Sequence, residues 1–107
     1  MERDKVEFGN TVTSLSCAWY RGRKLQKIEF GNWTGENCNI TNLESMFSNC
    51  HDIEKLDLSV WNTTNWHVTT ISYMFNACFR LKELNVTWNT VNWGNTSTKA
   101  ITTSYIF

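Results

Sequence analysis

Four cysteines and two histidines are the side chains of this 107-residue chain best suited to nucleophilic or metal chemistry. Zinc sites need paired ligands at short spacings such as C-x-x-C, and nucleophilic catalysis needs a base held beside the nucleophile. Neither pattern occurs, because His51 merely follows Cys50 and His67 stands alone. We therefore predict no metal site, no cofactor and no enzymatic activity.

Cys50 and Cys78 occupy one position in two segments that repeat. Residues 25–50 align without a gap on residues 53–78. A fixed period in this range is typical of stacked supersecondary units, so the two thiols are expected on neighbouring units. Free cysteines favour interiors, which predicts buried thiols. A disulfide is the alternative, since the expected separation permits one.

Further side chains align at the same shift and are expected to have structural roles. They are Trp33, Trp61 and Trp88; Asn37, Asn65 and Asn92; and Met46 and Met74. We predict a stack of tryptophans and a core-facing row of methionines. The asparagines are predicted to be buried, where their amides satisfy backbone groups that have no strand partner.

A second candidate set consists of polar side chains that alternate with apolar ones. They are Lys27, Glu29, Lys55, Asp57, Glu83 and Asn85. A period of two places such residues on the outward face of a sheet whose other face is buried. We predict that they form either a ligand-binding face or a solvated face held by diagonal ion pairs.

The elements that must position these residues follow from one repeat unit. Each unit opens with the L-x-x-L-x-L pattern of a leucine-rich-repeat strand, which predicts strands at 27–31, 55–59 and 83–87. After a polar turn, residues 44–50 and 72–78 indicate single helical turns with Met and Phe facing the core. We predict an α/β leucine-rich-repeat solenoid of about 3.5 coils, with a parallel β-sheet face and short helical turns opposite.

Length predicts one domain over residues 1–107, as part of a longer array. Its coils are predicted at about 5–24, 25–52, 53–80 and 81–107. The first unit is shortened by six residues in the turn after Asn10. The last three residues, Tyr105, Ile106 and Phe107, form an apolar end without the polar cap of a terminal repeat. We expect another chain or further repeats to cover that end.

Composition excludes several classes of partner. The formal charge is zero, with ten basic and ten acidic residues, so the chain lacks the basic patch of a nucleic-acid-binding protein. No apolar run approaches the ~18 residues needed to cross a membrane, and no signal peptide is visible. The expected partners are a protein or glycan ligand, or neighbouring subunits of an assembly.

The central units resemble the BspA-like leucine-rich-repeat surface proteins of bacteria, whose hallmark is LDLSxWDTSxVTxMxxMFxxCxxLxxL. The similarity lies in residues 56–65 and 68–75, followed by Cys78, Leu81 and Leu84. It covers essentially residues 5–93. The resemblance implies a non-enzymatic adhesion or recognition module that is extracellular or on the cell surface. Because such repeats also occur in proteins of mobile elements, a structural virion component is the alternative.

The chain departs from that pattern in its turns. Two residues are inserted in each central turn, Cys38-Asn39 and Trp66-His67, and Asn62 stands where Asp is usual. The first and last units are also degraded.

Overall fold

The regular secondary structure consists of two short strands in which exposed and buried residues alternate. The computed structural model describes most of the chain, namely residues 8–9, 11–94 and 106–107. Strand β1 spans Lys55–Asp57 and strand β2 spans Glu83–Asn85, and they pair in parallel with Leu56 opposite Leu84. Leu56 is buried while its two neighbours on β1 are exposed, as the period of two requires.

The predicted α/β leucine-rich-repeat solenoid of about 3.5 coils is wrong. The described residues contain no helix, and their only strands are the three-residue β1 and β2. The radius of gyration is 13.2 Å, which matches the roughly 13 Å of a compact globule of about 100 residues. Nor does the described part of the chain contain a helix of the length and apolarity that would cross a membrane.

Backbone hydrogen bonds also join equivalent segments of successive repeat units outside the two strands. We call residues 12–22, 40–50 and 68–78 together the turn ladder. Every second N–H of one segment donates to a carbonyl of the next, as Phe47 N does to Met74 O at 2.9 Å. The N–H groups between them donate three residues back within their own segment, as Ser48 N does to Ser45 O at 3.2 Å. The ladder therefore satisfies backbone groups by bonds that alternate between and within segments.

This use of the N–H groups explains why the predicted helical turns at 44–50 and 72–78 do not form. An α-helix needs right-handed residues whose N–H groups donate four residues back. Here Ser45 N donates instead to Ser72 O at 2.9 Å, in the neighbouring segment. Left-handed residues with φ between 57° and 64° recur in each segment, at Cys17, Arg21, Ser45, Asn49, Tyr73 and Ala77.

An aromatic column runs through the core behind the turn ladder. Trp19, Phe47, Phe75 and Phe107 stack in that order, with ring centroids 5.5, 5.7 and 5.4 Å apart. Phe47 and Phe75 are buried, whereas Phe107 lies at the exposed end of the column. Around the column lie further fully buried side chains, among them Met46, Met74, Leu43, Ile53 and Leu58.

Candidate functional site

The strand face is the exposed surface formed by the six polar residues predicted from alternation: Lys27, Glu29, Lys55, Asp57, Glu83 and Asn85. The structure leaves every one of these side chains exposed. The paired strands bring four of them together, because Lys55 lies opposite Glu83 and Asp57 lies opposite Asn85. Lys27 and Glu29 precede β1 in the chain, in a stretch that is not a strand of the sheet.

Two ion pairs lie within the strand face. Lys55 Nζ is 3.8 Å from Glu83 Oε1, and Lys27 Nζ is 3.6 Å from Glu29 Oε1. The first pair is directly opposite rather than diagonal, because Glu83 stands where the three earlier units have lysine. All four side chains are more than half exposed, so each pair contributes little to stability.

A third ion pair at the edge of the face was missed by the alternation argument. Lys82 Nζ is 3.0 Å from Glu54 Oε1, and the hydrogen bond and charge of Lys82 lower the pKa of Glu54. The sequence could have predicted this pair, because Glu54 and Lys82 align in the repeat and carry opposite charges. Beside them, hydrogen bonds from Ser59 lower the pKa of the Asp57 carboxyl.

The aligned asparagines are exposed, not buried as predicted, yet two of them bond backbone carbonyls. Asn65 Nδ2 donates to Glu36 O at 2.8 Å, and Asn92 Nδ2 donates to Thr64 O at 3.1 Å. Each amide thereby joins its own turn to the turn one unit earlier. Asn37 has no such acceptor among the described residues. It lies in the first of these turns, at the end of the row.

The aligned tryptophans form only part of a stack. Trp61 and Trp88 are nearly parallel, with centroids 6.5 Å apart and an interplanar angle of 11°. Trp33 is buried too, but its ring packs against Phe30 and Trp66 at 6.3 and 6.2 Å. The stack is interrupted because a second tryptophan, Trp66, takes part in the core beside Trp33 and Trp61.

Trp66 is the most important structural residue that the sequence reasoning missed. Its indole is fully buried, and Nε1 donates to Gly35 O at 2.8 Å. Gly35 has a φ of +74°, and a Cβ there would lie 2.6 Å from the Trp66 ring. Trp66 belongs to a two-residue insertion, so comparison with the repeat pattern treated it as a departure rather than as a core residue.

Cys50 and Cys78 are free thiols at equivalent places in the turn ladder. Cys50 Sγ donates to Trp19 O at 3.3 Å, and Cys78 Sγ donates to Phe47 O at 3.2 Å. Burial raises the pKa of Cys50 to about 12, with a further contribution from Cys78. Burial also raises the pKa of Cys78 to about 11. Both side chains are therefore protonated structural groups at neutral pH.

The two histidines make packing and hydrogen-bond contacts. His67 Nδ1 lies 2.7 Å from Asn39 Oδ1, and the His51 ring packs on Phe79 with centroids 4.9 Å apart. Within the part of the chain that the structure describes, no group of three or more Cys, His, Asp or Glu residues is placed to hold a metal ion.

Two depressions are lined by residues that the structure describes. The larger, of about 500 Å³, lies where the aromatic column reaches solvent. Its lining includes Leu81, Leu84, Phe79 and Phe107, and the last two are 76% and 70% exposed. The smaller, of about 240 Å³, lies between Phe8 and residues 32–37.

Comparison with known proteins places the chain in a family. Neither a curated protein nor a solved structure gives a significant match. A family described as "Mycoplasma protein of unknown function, DUF285" matches residues 9–104, which is nearly the whole chain. The match spans the turn ladder, both strands and the tryptophan-containing turns. The chain therefore belongs to the DUF285 family of Mycoplasma proteins of unknown function.

Proposed function

We propose that this chain is a non-enzymatic recognition module, related to the BspA-like surface proteins, that binds a protein or glycan through its strand face outside the cell. The observation that carries the proposal is the placement of Lys55, Asp57, Glu83 and Asn85 on two paired strands. Their side chains are exposed, while the backbone beneath them is fixed by the sheet and by buried Leu56. Charged groups held at fixed spacings suit the recognition of a complementary surface.

The weakness of the ion pairs supports a binding role for this face. The Lys55–Glu83 distance is 3.8 Å, and the two side chains are 74% and 68% exposed. Such a pair contributes about 0–1 kcal/mol to stability, so its partners can exchange it for contacts with a ligand at little cost. The proposal therefore requires that the face be dispensable for folding and indispensable for binding.

A binding assay with matched variants tests this proposal. The full chain would be applied to a glycan array and to an extracellular-matrix protein preparation. We expect the triple variant Lys55→Ala, Asp57→Ala, Asn85→Ala to bind at least tenfold more weakly than the unaltered chain. Arg23→Ala with Lys24→Ala changes exposed charges in a turn outside the face and should retain binding. Equal loss in both variants would disprove the role of the strand face.

The apolar depression at the exposed end of the aromatic column favours a second candidate, a structural subunit of a larger assembly such as a virion. Phe79 and Phe107 are more than two-thirds exposed there, and large exposed apolar groups mark contact surfaces. Co-purification at fixed stoichiometry, lost in Phe79→Ser but retained in the strand-face triple variant, would support this function. Binding lost only in the triple variant would support recognition instead.

A further inference from the structure

The turn at residues 32–37 is covered by its neighbour on one side. Three N–H groups of the following turn donate hydrogen bonds to three successive backbone carbonyls of residues 34–36. Asn62 N donates to Thr34 O at 2.7 Å, Trp66 Nε1 to Gly35 O at 2.8 Å and Asn65 Nδ2 to Glu36 O at 2.8 Å. These three carbonyls of the turn, which point toward the following one, are thus satisfied.

On the other side of this turn, the sequence differs from the repeat pattern in two ways. The preceding unit is shorter by six residues at the corresponding place. In addition, Cys38 stands at the position that Trp66 occupies one unit later, so a thiol replaces an indole. Cys38 Sγ donates to Gly9 O at 3.5 Å, the contact that corresponds to the bond from Trp66 to Gly35. The depression of about 240 Å³ borders this turn on the side of the shorter preceding unit, which contributes Phe8 to its lining.

The Asn37 amide at this depression lacks the acceptor that its equivalents in later units have. Asn65 and Asn92 donate to carbonyls one unit earlier, whereas the exposed amide of Asn37 has no partner among the described residues. Glu36 is exposed and forms no ion pair in the same part of the chain. A carboxylate acceptor and an amide that both donates and accepts therefore adjoin the cavity.

The shape and chemistry of the depression select among ligand classes. Its lining includes one carboxylate, that of Glu36, whereas calcium requires six to eight oxygen ligands. The negative charge of that carboxylate also disfavours the binding of anions. Trp33 is buried between Phe8 and Trp66, which leaves no open ring face on which a flat base could stack. The volume is below the roughly 300–1,000 Å³ typical of sites for drug-sized ligands. A single uncharged ring rich in hydroxyl groups fits these constraints.

We propose that the depression between Phe8 and residues 32–37 binds one sugar ring of a glycan. The Glu36 carboxylate and the Asn37 amide would hydrogen-bond its hydroxyl groups, while the Phe8 side chain contacts its apolar C–H surface. This site is separate from the strand face, because it belongs to the first tryptophan-containing turn rather than to β1 and β2. It therefore goes beyond the recognition function proposed above.

Saturation-transfer NMR with methyl glycosides tests the site directly. The probes would be the methyl glycosides of glucose, galactose, mannose and N-acetylglucosamine, each titrated into the full chain. We expect saturable binding of at least one probe, weakened about tenfold by Asn37→Ala, which removes one hydrogen-bonding amide. Glu36→Gln should also weaken binding. Asn92→Ala makes the same chemical change in an equivalent exposed residue outside the depression and should leave the affinity within about twofold.

The outcomes separate this inference from the proposed function. Failure of every glycoside to saturate, or equal loss in Asn37→Ala and Asn92→Ala, would overturn the sugar site. The strand-face triple variant should bind the sugar normally, since Lys55, Asp57 and Asn85 lie outside the depression. A chain that binds a matrix protein through the strand face but binds no glycoside would retain the recognition function and lose only this site.

Discussion

The turn ladder and the strand face both follow the repeat of the sequence, but they differ in how much their side chains vary from one unit to the next. In the two central segments of the turn ladder, core positions keep the same residue, as in Met46 and Met74 or Phe47 and Phe75. On the strand face aligned positions change charge, as from Lys55 to Glu83. A side chain covered by the next segment must fit a fixed space, whereas one covered by water can vary without disturbing the packing. We therefore expect the ladder to contribute most of the folding stability and the face to determine binding specificity.

The two regions also differ in how much of the backbone they order. The turn ladder is bonded from segment to segment along most of each segment's length. The sheet extends over three residues in each strand. Further bonds at its ends run from Lys82 N and Glu83 N to Glu54 O, at 2.8 and 3.1 Å, and from Leu58 N to Asn85 O at 2.8 Å. The face is therefore a small surface supported by a larger buried framework. Substitutions should separate the two regions by the size of their effect on stability.

The largest effect is expected from Phe47→Ala in the turn ladder. The Phe47 ring is fully buried and stacks on Trp19 and Phe75 at 5.5 and 5.7 Å. Its removal should lower the free energy of unfolding by about 3–5 kcal/mol, measured by denaturant titration. Phe79→Ala is the control, because that ring is 76% exposed and its loss should cost about 0.5 kcal/mol or less. Similar midpoints for both variants would contradict the assignment of stability to the ladder.

Gly35→Ala extends the comparison to the tryptophan-containing turns. A left-handed φ costs an L-residue about 1–2 kcal/mol, and an added Cβ would lie 2.6 Å from the Trp66 ring. With overpacking included, we expect a loss of about 2–4 kcal/mol in the free energy of unfolding. Gly9→Ala is the matched control, since a Cβ at Gly9 would have no atom within 4 Å. If the two variants unfold at the same denaturant concentration, the close approach of Trp66 is not a structural requirement.

The repeat predicted which residues become neighbours better than it predicted their conformation. Alignment of the two central units correctly placed Cys50 near Cys78, because the ladder bonds each segment to its equivalent in the next unit. It did not reveal that N–H groups such as that of Ser45 would bond between segments, which removes the predicted helical turn. Apolar spacing alone does not distinguish a helical turn from a chain of turns with left-handed residues.

The candidate sites were predictable to different degrees. Alternation identified the exposed strand face, since a period of two needs no knowledge of the neighbouring segments. The depression beside Asn37 lies next to the preceding unit, whose turn is six residues shorter. The sequence itself shows this shortening, in the turn after Asn10. The cavity is revealed only by the packing of the turns.

Alkaline pH should weaken the turn ladder through the buried thiol of Cys50 and the half-buried thiol of Cys78. The pKa values of Cys50 and Cys78 are raised to about 12 and 11, above those of unfolded thiols near 9. The folded state therefore favours the protonated form, and this stabilisation is fully present below pH 9 and is lost as the pH rises toward 12. Because Cys78 is only half-buried, water screens part of this effect, and we expect a combined loss on the order of 2 kcal/mol by pH 11, measured by denaturant titration at each pH.

Cysteine variants isolate this pH dependence. The double variant Cys50→Ala, Cys78→Ala should unfold with a flatter dependence on pH between 9 and 11, whatever its stability at pH 7. Cys17→Ala should keep the dependence of the unaltered chain, because Cys17 is exposed. Alkylation at pH 8 should likewise modify Cys17 before Cys50. An unchanged pH dependence in the double variant would show that other groups cause the alkaline loss.

The smallest effect is expected from Glu83→Gln on the strand face, which removes the 3.8 Å ion pair with Lys55. Both side chains are more than two-thirds exposed, so water already competes for their charges, and the loss should be at most about 1 kcal/mol. It should also shrink in about 1 M salt, where screening acts over roughly 3 Å. Glu54→Gln, which breaks the 3.0 Å pair with Lys82, is the matched control outside the six-residue face. A loss in Glu83→Gln as large as that in Phe47→Ala would mean that the face is part of the stabilising framework, and the difference between the two regions would disappear.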